Sequence, residues 1–134
     1  MTDAEPPLVL VHTIWLPLPW TSLPLSLNDR GGWQGRHGPI RTTLNEARAA
    51  IRAHDLPRVV GAEVVLHLWP TDRRRRDADN MGATLKVCQD ALVAEDVLPD
   101  DSWVHVPFSG HRIHAPTKTP PHGARFVLEV RPCD

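Results

Sequence analysis

The chain has little of several things that would narrow its class. Of its 134 residues two are cysteine, two phenylalanine and none tyrosine. Cys88 and Cys133 stand far apart with no Cys-x-x-Cys spacing. They define neither a disulfide framework nor a thiolate zinc site, which suits a reducing compartment. The stretch "LVLVHTIWLPLPW" is apolar but too short to cross a bilayer, and Pro17 and Pro19 break any helix through it. The opening "MTDAEPP" lacks the cationic region of a signal peptide, so a cytoplasmic protein with a disordered tail over residues 1–7 and no membrane partner is expected. Charge of one sign is also lacking. The formal net charge is −1, which excludes a global polyanion-binding signature, so any nucleic-acid surface must be local. Lysine is scarce as well: two of the fifteen basic residues are Lys, at 86 and 118, and the rest are Arg.

What is present reads as one domain over residues 1–134, long enough to close a hydrophobic core, with no repeats and no domain linker. "LVLVHTIWL" (8–16) reads as a buried strand, with Trp15 in the core. "LNDRGGWQGRHGP" (27–39) reads as a loop from its glycines. Thr43 and Glu46 form a capping box that opens a helix over "LNEARAAIRAH", with Leu44, Ala47 and Ile51 on one face and Leu56-Pro57 as its stop. "AEVVLHLW" (62–69) alternates cleanly, placing Val64, Leu66 and Leu68 on one side of a half-buried strand. A second helix over 84–95 buries Leu85, Cys88 and Leu92, with Lys86 and Asp90 neighbours at i, i+4. "WVHVPF" (103–108) and "RFVLEV" (125–130) are two further strands, joined by a mobile connection holding three Pro and three His. This order predicts a small α/β or α+β domain, a mixed sheet with about two helices packed on it.

The most concentrated chemistry is "RRRRDADN", residues 73–80, where four guanidinium groups abut two carboxylates. In a helix, residues two apart diverge by about 200°. In an extended chain they point to one side, about 6.6 Å apart. The strand ending at Trp69 favours the extended form, which converges Asp77 and Asp79 on one spot. Two carboxylates so close repel unless a cation or a shared proton lies between them. A hard divalent ion such as Mg²⁺ suits an oxygen donor set, and such an ion polarises a phosphodiester and acidifies a bound water. The adjacent Arg residues then hold phosphates beside the metal. The acidic turn "PDDS" (99–102) follows the second helix, and a strand–turn–helix–turn path returns Asp100 or Asp101 towards Asp77 and Asp79, with Lys86 on the intervening helix. Alone, the Arg–Asp run also reads as a solvated ion-paired turn, and "PDDS" as a Pro-Asp turn.

The block "RRRRDADNMGATLKVCQDALVAEDVLPDDSWV" resembles the signature of the RusA-type Holliday-junction resolvases: an Arg run, Asp-x-Asp-Asn, a helix carrying Lys and Asp-Ala-Leu, then Asp-Asp before a strand. Upstream, "LPLPWTSLPLSLNDRGGW" loosely resembles that family's Pro-rich first strand and Asn-containing loop. The resemblance implies a homodimeric α/β endonuclease of a bacterial or phage-infected cell. Such an enzyme nicks four-way DNA junctions in symmetric pairs with Mg²⁺, Mn²⁺ substituting, in DNA recombination and repair. It implies Asp77, Asp79 and Asp101 as catalytic metal-binding carboxylates, Asp100 as an auxiliary ligand and Lys86 as the catalytic lysine. It also implies DNA contacts from Arg76, from Arg73, Arg74 and Arg75, and from Asn28 and Arg30. "MGATL", between Asn80 and Lys86, is longer than the family pattern. In a loop these residues leave Lys86 in place; in the helix they rotate it.

Trp33, among arginines in the Gly-rich loop, is a candidate for stacking on an unpaired base. His105, His111, His114 and His122 match no zinc spacing and read as exposed loop histidines. Cys88 reads as inert core. Two other functions remain beside the resolvase: a less selective metal-dependent DNA nuclease, and a non-catalytic DNA-binding module with a decayed site.

Overall fold

Alternation in "GAEVVLHL" builds the strand from which the rest is organised. A computed structural model describes residues 12–25 and 32–133, and only the backbone of 32–37, 78 and 79. Strand β2 (Gly61–Leu68) sends Val64, Leu66 and Leu68 into the core, as their spacing requires. It pairs antiparallel with β4 (Phe126–Cys133) along its full length and parallel with β3 (Ser109–Ile113). Strand β1 (Ile14–Pro17) adds antiparallel to the other side of β4, giving a mixed four-stranded sheet in the order β1-β4-β2-β3. A parallel pair needs a crossover, and α2 (Gly82–Ala94) lies within the connection from β2 to β3.

Helices α1 (Gly32–His54) and α2 pack on each other and on one face of the sheet. Ala47 and Ile51 of α1 and Leu85, Cys88, Ala91 and Leu92 of α2 join Leu16, Leu66, Phe126 and Leu128 in one core. Glu95, just past α2, accepts hydrogen bonds from Arg48 (2.7 Å) and Arg52 (3.0 Å) and ties the two helices together. The fold is therefore a small mixed α+β domain, with four strands and two α-helices among the described residues. None of its helices is long and apolar enough to cross a membrane, among the described residues.

Five local expectations are corrected. The loop assigned to 27–39 is helical from Gly32 onward, including Pro39, and residues 26–31 lie outside the described residues. Thr43 is consequently inside α1 rather than capping it. Its hydroxyl donates to the Pro39 carbonyl at 2.7 Å, while Glu46 accepts from the Trp20 indole at 3.1 Å. The strand expected at 103–108 is a turn, in which Ser102 O accepts from the backbone N–H groups of His105 and Val106, and β3 forms from the next five residues instead. Trp15 is not core: its alternation places it on the opposite face of β1 from buried Leu16, 39% exposed. The expected strand at 8–16 begins at Ile14 within the described residues, and residues 8–11 lie outside them.

The Pro- and His-rich segment after β3 is tied to the sheet. Arg125 donates through one guanidinium nitrogen to the carbonyls of Trp69, Pro70 and Thr117. His122 stacks on Trp15 with ring centroids 4.7 Å apart, and His114 stacks on Trp69 at 4.2 Å.

Candidate active site

Pro70 ends β2 and the chain leaves the sheet through the charged stretch. Its conformation differs from the extended one expected: Ala78–Met81 form a 3₁₀ turn, opened by the Asn80 N–H donating to the Asp77 carbonyl at 3.1 Å. The same-side argument for Asp77 and Asp79 assumed a strand end, so it does not apply here. The Asp79 side chain lies outside the described residues, as do Asn28, Arg30 and the Trp33 side chain.

The four arginines divide by role. Arg76, with 20% of its side chain exposed, turns back to donate to the carbonyls of Asp72 (2.9 Å) and Arg74 (3.1 Å) and to the Asp72 carboxylate (2.9 Å). The Arg74 N–H bonds to the same carboxylate at 3.1 Å, and with Arg76 it holds Asp72 below the usual carboxylate range. Arg76 thus fixes the shape of the stretch, whereas Arg73, Arg74 and Arg75 face solvent. The family resemblance put Arg76 first as a phosphate contact; three of its hydrogen bonds go to the turn, and it also lines the cleft beside Arg74 and Arg75. Arg75 lies 3.6 Å from Asp77, a long ion pair open to exchange.

A cleft of about 650 Å³ gathers Arg74, Arg75, Arg76, Asp77, Asn80 and Arg125 around a floor of Leu68, Met81, Ile113 and Phe126. Thr21 and Ser22, from the Pro-rich segment after β1, supply hydroxyls to its wall. Arg125 had no signal in the local sequence, because its partners lie 8 to 56 residues away.

Lys86 projects from the second turn of α2, since four of the five "MGATL" residues are helical. It still meets the acidic turn: its ammonium donates to Asp101 at 2.7 Å and to Asp90 at 2.9 Å. These hydrogen bonds, Asp101's first, raise the Lys86 pKa, and Lys86 in return lowers that of Asp101. Both groups stay ionised through the neutral range. Asp100 accepts the Asp101 N–H at 2.6 Å and so braces the turn. The structure therefore brings Lys86, Asp90 and Asp101 together in one cluster and Arg74–Asp77 together in one cleft, and Asp101 does not line that cleft. Among the described residues, no three His, Cys, Asp or Glu side chains are grouped to hold a metal ion. In donor type Asp77 and Asp101 fit a hard divalent cation, since both offer exposed carboxylate oxygens, and an ion at Asp101 shares or displaces its bond from Lys86.

No protein-family model matches the chain, and no curated protein matches it.

Proposed function

We propose that the protein is a Mg²⁺-dependent endonuclease that resolves four-way DNA junctions by paired nicks, acting as a homodimer. The observation that carries this reading is the return of the "PDDS" turn to α2. It sets Asp101 against Lys86, fifteen residues apart, on the helix that leads directly out of the Arg-lined cleft at Asn80 and Met81. Both charge signs needed for phosphodiester chemistry are thereby displayed on adjoining elements.

In this reading exposed Arg74 and Arg75 grip backbone phosphates, and Arg76 holds their loop in shape. In this arrangement its acidic partners favour the protonated form of Lys86, which assigns it a charge-stabilising role rather than that of a general base. It is a fixed positive charge that stabilises negative charge developing on the phosphate. Asp77, Asp79 and Asp101, with Asp100 auxiliary, are the residues that would hold Mg²⁺ or Mn²⁺. The bound ion would polarise the phosphodiester and acidify a water. Two-fold symmetry would supply one site for each opposing strand.

The test is incubation of the purified protein with a labelled four-way junction and with a linear duplex of the same sequence, in Mg²⁺ and in chelator. Paired nicks confined to the junction and abolished by chelator support the proposal. Equal cutting of both substrates assigns a less selective nuclease, and binding without cutting assigns a non-catalytic DNA-binding module. Asp79→Asn is expected to abolish cleavage and to leave junction binding intact or tighter, since one fewer negative charge eases approach of a polyanion. Normal cutting by that variant removes Asp79 from the site.

A further inference from the structure

The sheet face opposite the helices carries a second group of ionisable side chains that the proposed nuclease does not use. Glu129 and His67 lie diagonally across the β4–β2 pair, Glu129 opposite Val65, and are 4% and 6% exposed. The Glu129 carboxylate accepts from His67 Nε2 at 2.8 Å and from Arg131 at 2.9 Å. Across the ring, His67 Nδ1 lies 2.7 Å from His114 Nε2. Burying a carboxylate and an imidazole on a sheet face is costly, and apolar residues would stabilise the fold at least as well. A buried ionisable cluster that opens into a cleft is a candidate site as well as a structural ion pair.

The chain of hydrogen bonds leaves one ring nitrogen of His114 for a ligand. Burial pushes the Glu129 pKa up, but the bonds from His67 and Arg131 outweigh it and keep the carboxylate ionised. His67 carries a proton on Nε2 for Glu129, and the 2.7 Å bond between its Nδ1 and His114 Nε2 is made by a proton on either ring. Burial first, then His67 and Arg112, lower the His114 pKa and favour its neutral form, and Nδ1 is the ring nitrogen not engaged with His67. His114 is stacked face to face on Trp69, the two rings 3° from parallel.

His114 lines a cleft of about 350 Å³ with walls of Trp15, Val65 and Phe108, the Glu129–His67 pair at its floor, and Arg112, Arg131 and Glu63 beside them. Trp15 and Phe108 are 39% and 52% exposed, large apolar surfaces left open to solvent. The volume falls at the lower end of small-molecule sites, roughly 300–1,000 Å³. This cleft and the Arg74–Asp77 cleft have no lining residue in common.

We propose that this cleft is a second ligand site, for a small aromatic anion bearing a hydrogen-bonding group, with a nucleoside 5′-monophosphate as the representative. The ring lies against Trp15 and Phe108, the anion meets Arg112, and the hydrogen-bonding group meets His114. Arg131 is already paired to Glu129 and, at 4.0 Å, to Glu63, which leaves exposed Arg112 as the partner of the anion.

The experiment uses the full chain without DNA or divalent metal, following tryptophan fluorescence and calorimetric heat as each of the four common 5′-monophosphates is added. Parallel arms use the matching nucleosides and inorganic phosphate. At least one monophosphate is expected to bind saturably and to change the fluorescence, with its nucleoside and phosphate alone each much weaker. Arg112→Ala, at an exposed position, is expected to weaken binding about tenfold through loss of a charged hydrogen bond. His114→Phe keeps a ring on Trp69 and removes the ring nitrogens, with a similar loss. The proposal is overturned if no monophosphate saturates, if a nucleoside binds as tightly as its monophosphate, or if Arg112→Ala binds like the parent chain. The Arg112 variant decides the matter even if His114→Phe does not fold.

Discussion

Arg75 and Arg76 are chemically identical neighbours with different work. Arg75 has 91% of its side chain in solvent, whereas three acceptors hold Arg76 in the turn. If the stretch grips DNA, Arg75→Ala should weaken binding across sequences and reduce the slope of log affinity against log salt by about 1. Arg76→Ala should instead loosen the loop, which would appear as faster backbone hydrogen exchange over 72–77. The run was legible as a charged site, but its division of roles was not, because the Arg76 bonds depend on how the turn closes. The two thiols differ in the same manner. Burial alone pushes Cys88 up to about 12, while Cys133 is half-buried on β4. At pH 8 an alkylating reagent should modify Cys133 and leave Cys88 intact until the chain unfolds, as intact-mass measurement would read.

Elements were readable where one periodicity governed the chain. β2 and α2 fell within a residue or two of their expected limits, because strict alternation and the spacing of Leu85, Cys88 and Leu92 leave no competing register. The start of α1 and the position of β3 were not readable, since both rest on distant contacts. Glycines at 32, 35 and 38 argue for a loop, yet α1 extends through them from a segment anchored by packing on α2. Around β3 the apolar residues Trp103 and Val104 mimic a strand, but 80% and 63% exposure marks them as turn residues. The deciding interaction is remote: His105 O accepts the Ala62 N–H at 2.8 Å, with Gly61 pressed beneath it. A methyl group at Gly61 would lie 2.8 Å from that carbonyl oxygen. Gly61→Ala should therefore destabilise the fold by about 1–3 kcal/mol in urea titration. Glu95→Gln should cost about 1 kcal/mol by the same measure, as Arg48 and Arg52 lose a carboxylate that is only 12% exposed.

At the scale of the whole molecule, the two clefts lie on different parts of one sheet, and the segment 114–125 touches both through His114 and Arg125. The sequence singled out the first by its charge run. It missed the second because Glu129, His67 and His114 become neighbours only when β4 and β3 flank β2, 47 to 62 residues apart. The buried carboxylate links this face to acid stability. The folded pKa of Glu129 is depressed, so its contribution is complete above the ordinary glutamate range and is lost as pH falls through the folded value. Urea midpoints measured between about pH 6 and pH 3 should fall for the parent chain, and with a shallower slope for Glu129→Gln.

Strand order has a further consequence for how the protein is made. β4 is sandwiched between β1 and β2, so Ile14–Pro17 pair only with residues 127–130, more than a hundred positions later. During translation β1 emerges early and has no partner until nearly all of the described chain has been synthesised. The α1 and α2 helices can associate beforehand, but the sheet closes late, after a long loop has been gathered in. A nascent chain stalled before Phe126 would leave the edges of both β1 and β2 unpaired. That interval is when this molecule is most exposed to aggregation and most dependent on chaperones.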